Sequence, residues 1–378
     1  MKYEKKYLLS VVVPTKNRYK YLKHLIGYVA STFPSKNIEL VIQDNTVNNV
    51  EILEFIHKYE NYENIRYFHE PTPLSMGENS DLAIKHSTGK FVSFIGDDDC
   101  FLPCILNIIE YVITHKAEAI VTPRLTYVWP DAEKYITYLS TDLQFKDYDC
   151  SKRIVENDEI IKVLKIGGQS MCNMPRVYHG IVLRETLDRL WNKYGTYFPG
   201  PSPDMANAIA LALMEVKTLF INYPVIIAGT GFARIKGNEK GDRQTVEDTH
   251  FLKNDVLSHW NDRIPKLWTT PTIYAQTVYH GVNSVQKDLL KFFNWNAFFV
   301  SLGAEFFKDF WKLARTEHCF HLIPQIIKRK IKIQIFRSFK TPINKIRGYK
   351  SYNIDTSSVE QYARTIENNI GVFELNNE

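Results

Sequence analysis

Three consecutive carboxylates, Asp97, Asp98 and Asp99, follow directly on the apolar run FVSFIG (91–96). Held at the end of a buried segment, they repel one another unless a cation or solvent relieves them. Hard oxygen ligands of this kind suit Mg2+ or Mn2+ bound together with a diphosphate; the alternative is a solvated acidic turn ahead of the helix after Pro103. Two more polar groups close apolar runs in the same way: Pro14-Thr15-Lys16-Asn17-Arg18 after LLSVVV (8–13), and Asp44-Asn45 after IELVIQ (38–43). Asp204 opens the apolar stretch PDMANAIALALMEV (203–216), where it is either a general base or a helix-terminal acid. A helix dipole at that place lowers its pKa and weakens it as a base. His179 in RVYHGIVLR (176–184) and the loop 229–236 are candidates for an acceptor side. Arg234, Lys236, Lys240 and Arg243 are placed either to close over a diphosphate as a lid or to sit in a solvated loop.

These residues need a frame, and the frame is legible. LLSVVVP (8–14) is a continuous β-branched run of the kind buried on both faces of a parallel sheet. Leu22, Leu25, Ile26 and Val29 then recur at i, i+3, i+4 and i+7, and Pro34 ends that helix. IELVIQD (38–44), NIRYFHE (64–70) and KFVSFIG (90–96) repeat the strand signal with helical stretches between them. Alternation of this length predicts right-handed crossovers in a doubly wound α/β half that binds a nucleotide beyond the carboxyl ends of its strands. Farther on, RLTYVWPDAEKYITYL (124–139) reads as a hairpin about Pro130 and Asp131, and TLFINYPVIIA (218–228) as one strand. The last third reads as helical. FFNWNAFFVSLGAEFFKDFW (292–311) is too interrupted by polar residues to span a bilayer.

Composition sets the outer limits. The 378 residues, 44% hydrophobic and 24% charged, fit an ordinary globular chain and exclude global disorder. Five scattered cysteines lack zinc-ligand spacing and read as free thiols. The opening apolar run is too short for a signal peptide, so the chain is expected to stay in the cytoplasm. The net charge of +5 is uneven: between His318 and Ile354 there is no Asp or Glu, but nine Lys and Arg. The remainder carries 38 basic against 42 acidic residues, a net of −4. Isoleucines and phenylalanines interleave with the nine cations, so 318–354 is a candidate contact with an anionic membrane on the inner face of the cell. The acidic remainder argues against a nucleic-acid partner.

Taken in order, SVVVPTKNR (10–18), Asp44-Asn45, GENSDLAIKHSTGKFVSFIGDDD (77–99) and PSPDM (201–205) resemble the family 2 glycosyltransferases of GT-A fold over roughly residues 7–235. The resemblance implies a GT-A domain over 1–250, with a nucleotide-sugar-binding half at 1–100, an acceptor half at 101–250, and a helical, basic region at 251–378. It implies an inverting, Mn2+- or Mg2+-dependent transfer from a nucleotide-sugar, UDP first by base rate, to a hydroxyl of a glycan or lipid-linked acceptor in bacterial surface polysaccharide synthesis. Its nucleotide contacts fall on Pro14, Thr15, Asn17 and Arg18, its base contact on Asp44, and its ribose-side segment on Gly77, Glu78 and Asn79. Its metal motif falls on Asp97, Asp98 and Asp99, with Asp99 favoured for the metal and Asp98 for ribose or metal. The family pattern often has Asp where Gly96 stands, and an acid beside the catalytic base where Pro203 stands. Asp204 carries the base assignment alone.

Two rivals remain. A nicotinamide-dependent oxidoreductase lacks its G-x-G-x-x-G after the first strand, and no G-x-x-x-x-G-K-S/T is present for a P-loop enzyme. A non-catalytic nucleotide- or carbohydrate-binding member of the fold is the alternative, since a fold does not fix an activity.

Overall fold

The computed structural model describes residues 7–33, 37–132, 143–146, 148–232, 245–246, 259–338, 349–352 and 358–370. The chain begins with β1 (Leu9–Thr15), α1 (Tyr19–Thr32), β2 (Ile38–Asp44), α2 (Val50–Ile56), β3 (Ile65–His69), α3 (Met76–His86) and β4 (Phe91–Phe94), the alternation expected from the sequence. There follow β5 (Cys100–Phe101), α4 (Ile105–Thr114), β6 (Ala119–Val121), β7 (Arg124–Val128), β8 (Leu143–Lys146), β9 (Lys152–Ile154), α5 (Glu159–Lys165), β10 (Ile181–Leu183), α6 (Arg184–Tyr194), α7 (Pro203–Leu213), β11 (Thr218–Ile221) and β12 (Ile226–Thr230). The last elements are α8 (Thr270–Val285), α9 (Trp295–Glu305), α10 (Phe307–Thr316), α11 (Ile323–Ser338), β13 (Tyr349–Tyr352) and α12 (Val359–Ile370).

The main sheet has eight strands in the order β3-β2-β1-β4-β10-β6-β11-β9. The first four are mutually parallel, and β10 runs antiparallel to both β4 and β6. Nearly every residue of β1, β2 and β4 is buried, which explains continuous apolar runs instead of alternation. One face is covered by α1 and α4, the other by α3, α6 and α7. A second sheet, β5-β12-β7, stands at the end of β4. Here the expected hairpin is corrected: β7 pairs in parallel with the distant β12, and residues 133–140 lie outside the described residues. The single strand expected over 218–228 is split into β11 and β12, which serve different sheets.

Helix α7 is apolar on all sides because it is buried from two directions. Ala210 and Leu211 face the sheet, while Met205, Ala208 and Ile209 join α5 and α8–α11 in a separate helical core. This double burial fixes the helix whose first turn holds Asp204. The helical layer expected for the C-terminal region is present over 270–338, but α12 returns to the first half. Val359, Tyr362, Ala363 and Ile366 share the core of β1 and α1, and the Tyr362 hydroxyl donates to the Thr126 carbonyl at 2.9 Å. The five cysteines are free thiols. Among the described residues no helix is long and apolar enough to cross a membrane.

Ile366 is fully buried against that first-half core, so Ile366→Ala is expected to cost about 2–5 kcal/mol of stability. Urea unfolding of the full chain measures it, and a loss of only a few tenths would show that α12 is an ornament on the domain.

Candidate active site

The carboxyl ends of β1, β2 and β4 lie side by side, with Thr15 in register with Asp44 and Val12 with Phe94. Crossovers from β1 lead to β2 on one side, and β4 joins on the other, so a crevice opens where strand order reverses. Pro14 fits inside this central strand for a specific reason. The Val12 carbonyl accepts the last ladder bond from β4, at Ile95 N. Pro14 faces the same side two residues later, where β4 has turned away and no donor is required. Asn17 then takes φ 59°, a left-handed conformation that asparagine tolerates, and its amide donates to Thr46 Oγ1 at 2.8 Å. That turn delivers Arg18 to the start of α1.

Asp97, Asp98 and Asp99 are all buried, at 2%, 5% and 2% exposure. The three do not converge on one point: among the described residues, no group of three or more His, Cys, Asp or Glu is disposed to hold a metal ion. Asp97 Oδ2 accepts from Thr15 Oγ1 at 2.7 Å, and its Oδ1 lies 3.1 Å from Arg18 Nη1. Arg18 Nη2 lies 2.6 Å from Asp98 Oδ2, so one guanidinium serves two acids. Asp99 faces elsewhere. Its Oδ2 is 2.7 Å from His179 Nε2 and accepts from Gly96 N at 2.6 Å, while Oδ1 accepts from Gly229 N at 2.8 Å. Both oxygens of Asp99, the residue the sequence favours for the metal, are engaged by the protein.

The glycines around the turn are dictated by it. A Cβ on Gly96 would stand 3.0 Å from Asp98 Oδ1 and 3.1 Å from Asp99 Oδ2, so an acid at 96 would crowd a fourth charge against two. On Gly229 it would lie 1.7 Å from the Asp98 carbonyl oxygen, a backbone collision. The Asp98 carbonyl is also held by Trp129 Nε1 at 2.9 Å. Trp129 is thus a core residue supporting the turn.

Burial pushes the Asp97 carboxyl up to about 7, against the pull of Arg18, which is shared with Asp98. For Asp99, burial acts upward too, but His179 and the Gly96 and Gly229 amides outweigh it and hold the group below the ordinary carboxylate range. Burial also works against the Arg18 cation, and the two acids more than compensate, so its basicity rises. A divalent cation fits this site in a restricted form. Asp97 Oδ1 is buried without an aligned hydrogen bond, and two carboxylates plus substrate phosphates are a sufficient ligand set for Mg2+-like ions. Arg18 would have to yield that position.

The other expected residues are distributed as follows. Asp44 is fully buried, and both oxygens are taken: Oδ2 accepts from Tyr19 and Tyr67 hydroxyls, each at 2.7 Å, and Oδ1 from Thr46 N at 2.8 Å. It presents no unengaged oxygen to a base. Glu78 forms a capping box with Ser75 at the start of α3, which accounts for it structurally. Gly77 has open space about its α-carbon, and Asn79 Oδ1 is buried without a hydrogen-bond partner among the described residues. Asp204 lies in the first turn of α7, after the N-cap Ser202. Its Oδ2 accepts from Tyr274 at 2.5 Å and its Oδ1 from Met205 N at 2.8 Å, with Ser202 Oγ also on Oδ1. His179, at φ 55° and buried, is not on an open face. It links Asp99 to Arg124, whose Nη1 is 3.2 Å from Nδ1. The proposed lid residues Arg234, Lys236, Lys240 and Arg243 lie outside the described residues.

Sequence reasoning missed Arg124, Arg176, Tyr274, Tyr19 and Tyr67. Burial first, then the Arg124 charge, brings the Arg176 guanidinium down to about 10, while Asp204 and Tyr274 oppose the shift. A positive region therefore borders Asp204. Nothing in the spacing of these residues announces it.

Residues 10–174 match the model of Glycosyl transferase family 2. Among curated proteins, the poly(ribitol-phosphate) beta-N-acetylglucosaminyltransferase TarS of Staphylococcus aureus is 33% identical over 92 residues, 24% of this chain and 16% of the relative. An uncharacterized glycosyltransferase of Haemophilus influenzae is 22% identical over 173 residues, 43% of this chain and 51% of the relative. The chain thus spans about half or less of the length of these relatives. Among solved structures, S. aureus TarS 1–349 aligns with a TM-score of 0.42 at 17% identity, over 58% of this chain and 60% of that one. A Pyrobaculum calidifontis mannosyltransferase solved with GDP-Man and Mn2+ aligns with a TM-score of 0.40 at 13% identity, over 88% of both chains.

Two outcomes are expected from this geometry. Gly229→Ala should lower the melting temperature by several degrees and distort the aspartate turn, since the clash is with backbone; an unchanged melt would show that β12 can retreat at no cost. Asp97 keeps a proton in the folded chain that an unfolded Asp releases near pH 4, so this group's effect on stability becomes unfavourable as pH rises from about 4 to 7. In urea titrations with EDTA, Asp97→Asn should therefore gain on the wild type between pH 5 and 8. A difference that does not vary with pH would contradict the raised Asp97.

Proposed function

We propose that this chain, which carries a glycosyl transferase family 2 domain over residues 10–174, moves a sugar from a nucleotide-sugar to a hydroxyl of a glycan or lipid-linked acceptor with inversion, in bacterial surface polysaccharide assembly. The observation that carries the reading is the pair Asp97 and Asp98 sharing one guanidinium at the crevice where β1 and β4 diverge. UDP-sugars come first, and the sugar in the name of the TarS relative, N-acetylglucosamine, heads the screen.

Asp97 and Asp98 would hold Mn2+ or Mg2+, which when bound supplies charge stabilisation to the departing diphosphate. Arg18 would exchange its two carboxylates for the incoming phosphates, keeping one cation beside the charge that develops as the glycosidic bond to the nucleotide breaks. Asn79 Oδ1, buried and without a hydrogen-bond partner among the described residues, is available to a donor hydroxyl. Asp204 accepts the proton of the acceptor hydroxyl as its oxygen attacks the anomeric carbon from the face opposite the leaving group, and a single displacement inverts configuration. Tyr274 and Met205 N fix the orientation of that carboxylate. A second reading, a non-catalytic nucleotide- or carbohydrate-binding member, draws on the absence of an acid at Pro203 and on the closed Arg18 pairing.

Isothermal titration of UDP, dTDP and GDP, with Mn2+ and with EDTA, tests both readings. One nucleotide is expected to bind with metal dependence, at least tenfold more weakly in Asp98→Ala. Asp204→Asn should keep that affinity while sugar transfer falls by roughly 10²–10⁴. Binding with no transfer in the wild type would favour the non-catalytic reading, and no binding of any nucleotide would sink the donor site.

A further inference from the structure

Helix α11 carries two apolar faces, and the fold uses only one. Ile326 is 1% exposed and lies against Gly303 of α9. Ile327, Ile331 and Ile335 recur at i, i+4 and i+8, about 140° around the helix from Ile326, and are 50%, 53% and 50% exposed. Lys328 and Lys332 border this stripe, and Arg329 and Lys330 are exposed on the same helix. Just before it in the chain, Phe307, Trp311 and Phe320 are exposed and form a ladder, with ring centroids 5.8 Å and 5.2 Å apart. Six of the thirteen exposed large hydrophobics among the described residues fall within 307–335 of the sequence.

We propose that this face docks peripherally on an anionic bilayer surface, with α11 lying in the interface plane, its isoleucine stripe at the acyl boundary and its lysines among the headgroups. The charge of the segment selects this occupant. Lys328, Arg329, Lys330 and Lys332, all exposed on α11, would repel the same face of a second copy. A nucleic acid would meet the cations but offers no apolar partner for three isoleucines. Trp311 and the phenylalanines suit the headgroup boundary, where an aromatic ring has one apolar and one wet side. The inference does not depend on the transferase reading.

Co-sedimentation of the full chain with phosphatidylcholine vesicles, with and without phosphatidylglycerol, tests it. Binding is expected only to the anionic vesicles and should weaken with salt. The triple variant Ile327→Gln, Ile331→Gln, Ile335→Gln should lose at least tenfold in affinity. Lys328→Ala and Lys332→Ala should each lose about fivefold. All five positions face solvent, so unchanged thermal melts are expected to certify the fold. Retention of binding by the triple variant, equal binding to neutral vesicles, or no binding by the wild type would each overturn the proposal. Nucleotide titration of the same samples separates the two readings, since vesicle binding without nucleotide binding would refute the transferase alone.

Discussion

The burial of three consecutive carboxylates at the end of β4 is the constraint from which the surroundings follow. A buried carboxylate is tolerated only with donors or a counter-charge around it. Those donors come from four separated parts of the chain: Thr15 at the end of β1 with Arg18 just after it, His179 before β10, the Gly96 amide within the turn, and the Gly229 and Gly231 amides at the end of β12. The second sheet exists in this place because β12 must bring its amides to Asp98 and Asp99. Gly229 follows from the same demand, since a Cβ there would collide with the Asp98 backbone, whereas at Gly231 it would meet the Tyr21 ring.

The three acids are not equivalent, and the difference is one of partners. Asp99 is held by two amides and a histidine, a set that fixes its direction and keeps it ionised. Asp97 and Asp98 share Arg18, whose fork cannot meet both with good geometry. Asp97 Oδ1 and Arg18 Nε and Nη2 are buried without aligned hydrogen bonds. A fully satisfied network would resist rearrangement, whereas one cation divided between two acids is the weaker link. Any ligand that competes for charge in this crevice acts there first.

Much of the frame was legible in the sequence, for a physical reason. Strands buried on both faces read as unbroken apolar runs, and β1, β2 and β4 are such strands. Pairing between distant segments leaves no such mark: β7 looked like half of a hairpin because Pro130 and Asp131 follow it, while its partner β12 lies about a hundred residues away. The docking of α12 on α1 was invisible likewise, since an amphipathic helix does not name its partner. At the site, Asp97, Asp98 and Asp99 stood out because charge adjoins an apolar run. Asp44 was legible as a strand-end carboxylate, but not the two tyrosines that seal it. Arg124, Arg176 and Tyr274 are single residues at ordinary spacings, and only the fold brings Tyr274 and Arg176 near Asp204 and Arg124 near Arg176.

Net charge misleads here unless it is localised. Outside 318–354 the chain is net negative, yet Arg18 stands at its crevice between Asp97 and Asp98, and Arg124 and Arg176 lie close enough to perturb one another. The lowered basicity of Arg176 arises from burial and then from Arg124, and two guanidiniums kept this close are a standing positive potential, not a mutual neutralisation. Lys328, Arg329, Lys330 and Lys332 sit differently, exposed on a helix whose packed side is satisfied by Ile326. Buried positive charge is bounded by the acids it faces and is therefore selective for what replaces them. Exposed positive charge beside an apolar stripe has no such bound among the described residues, which leaves it open to a complement from outside.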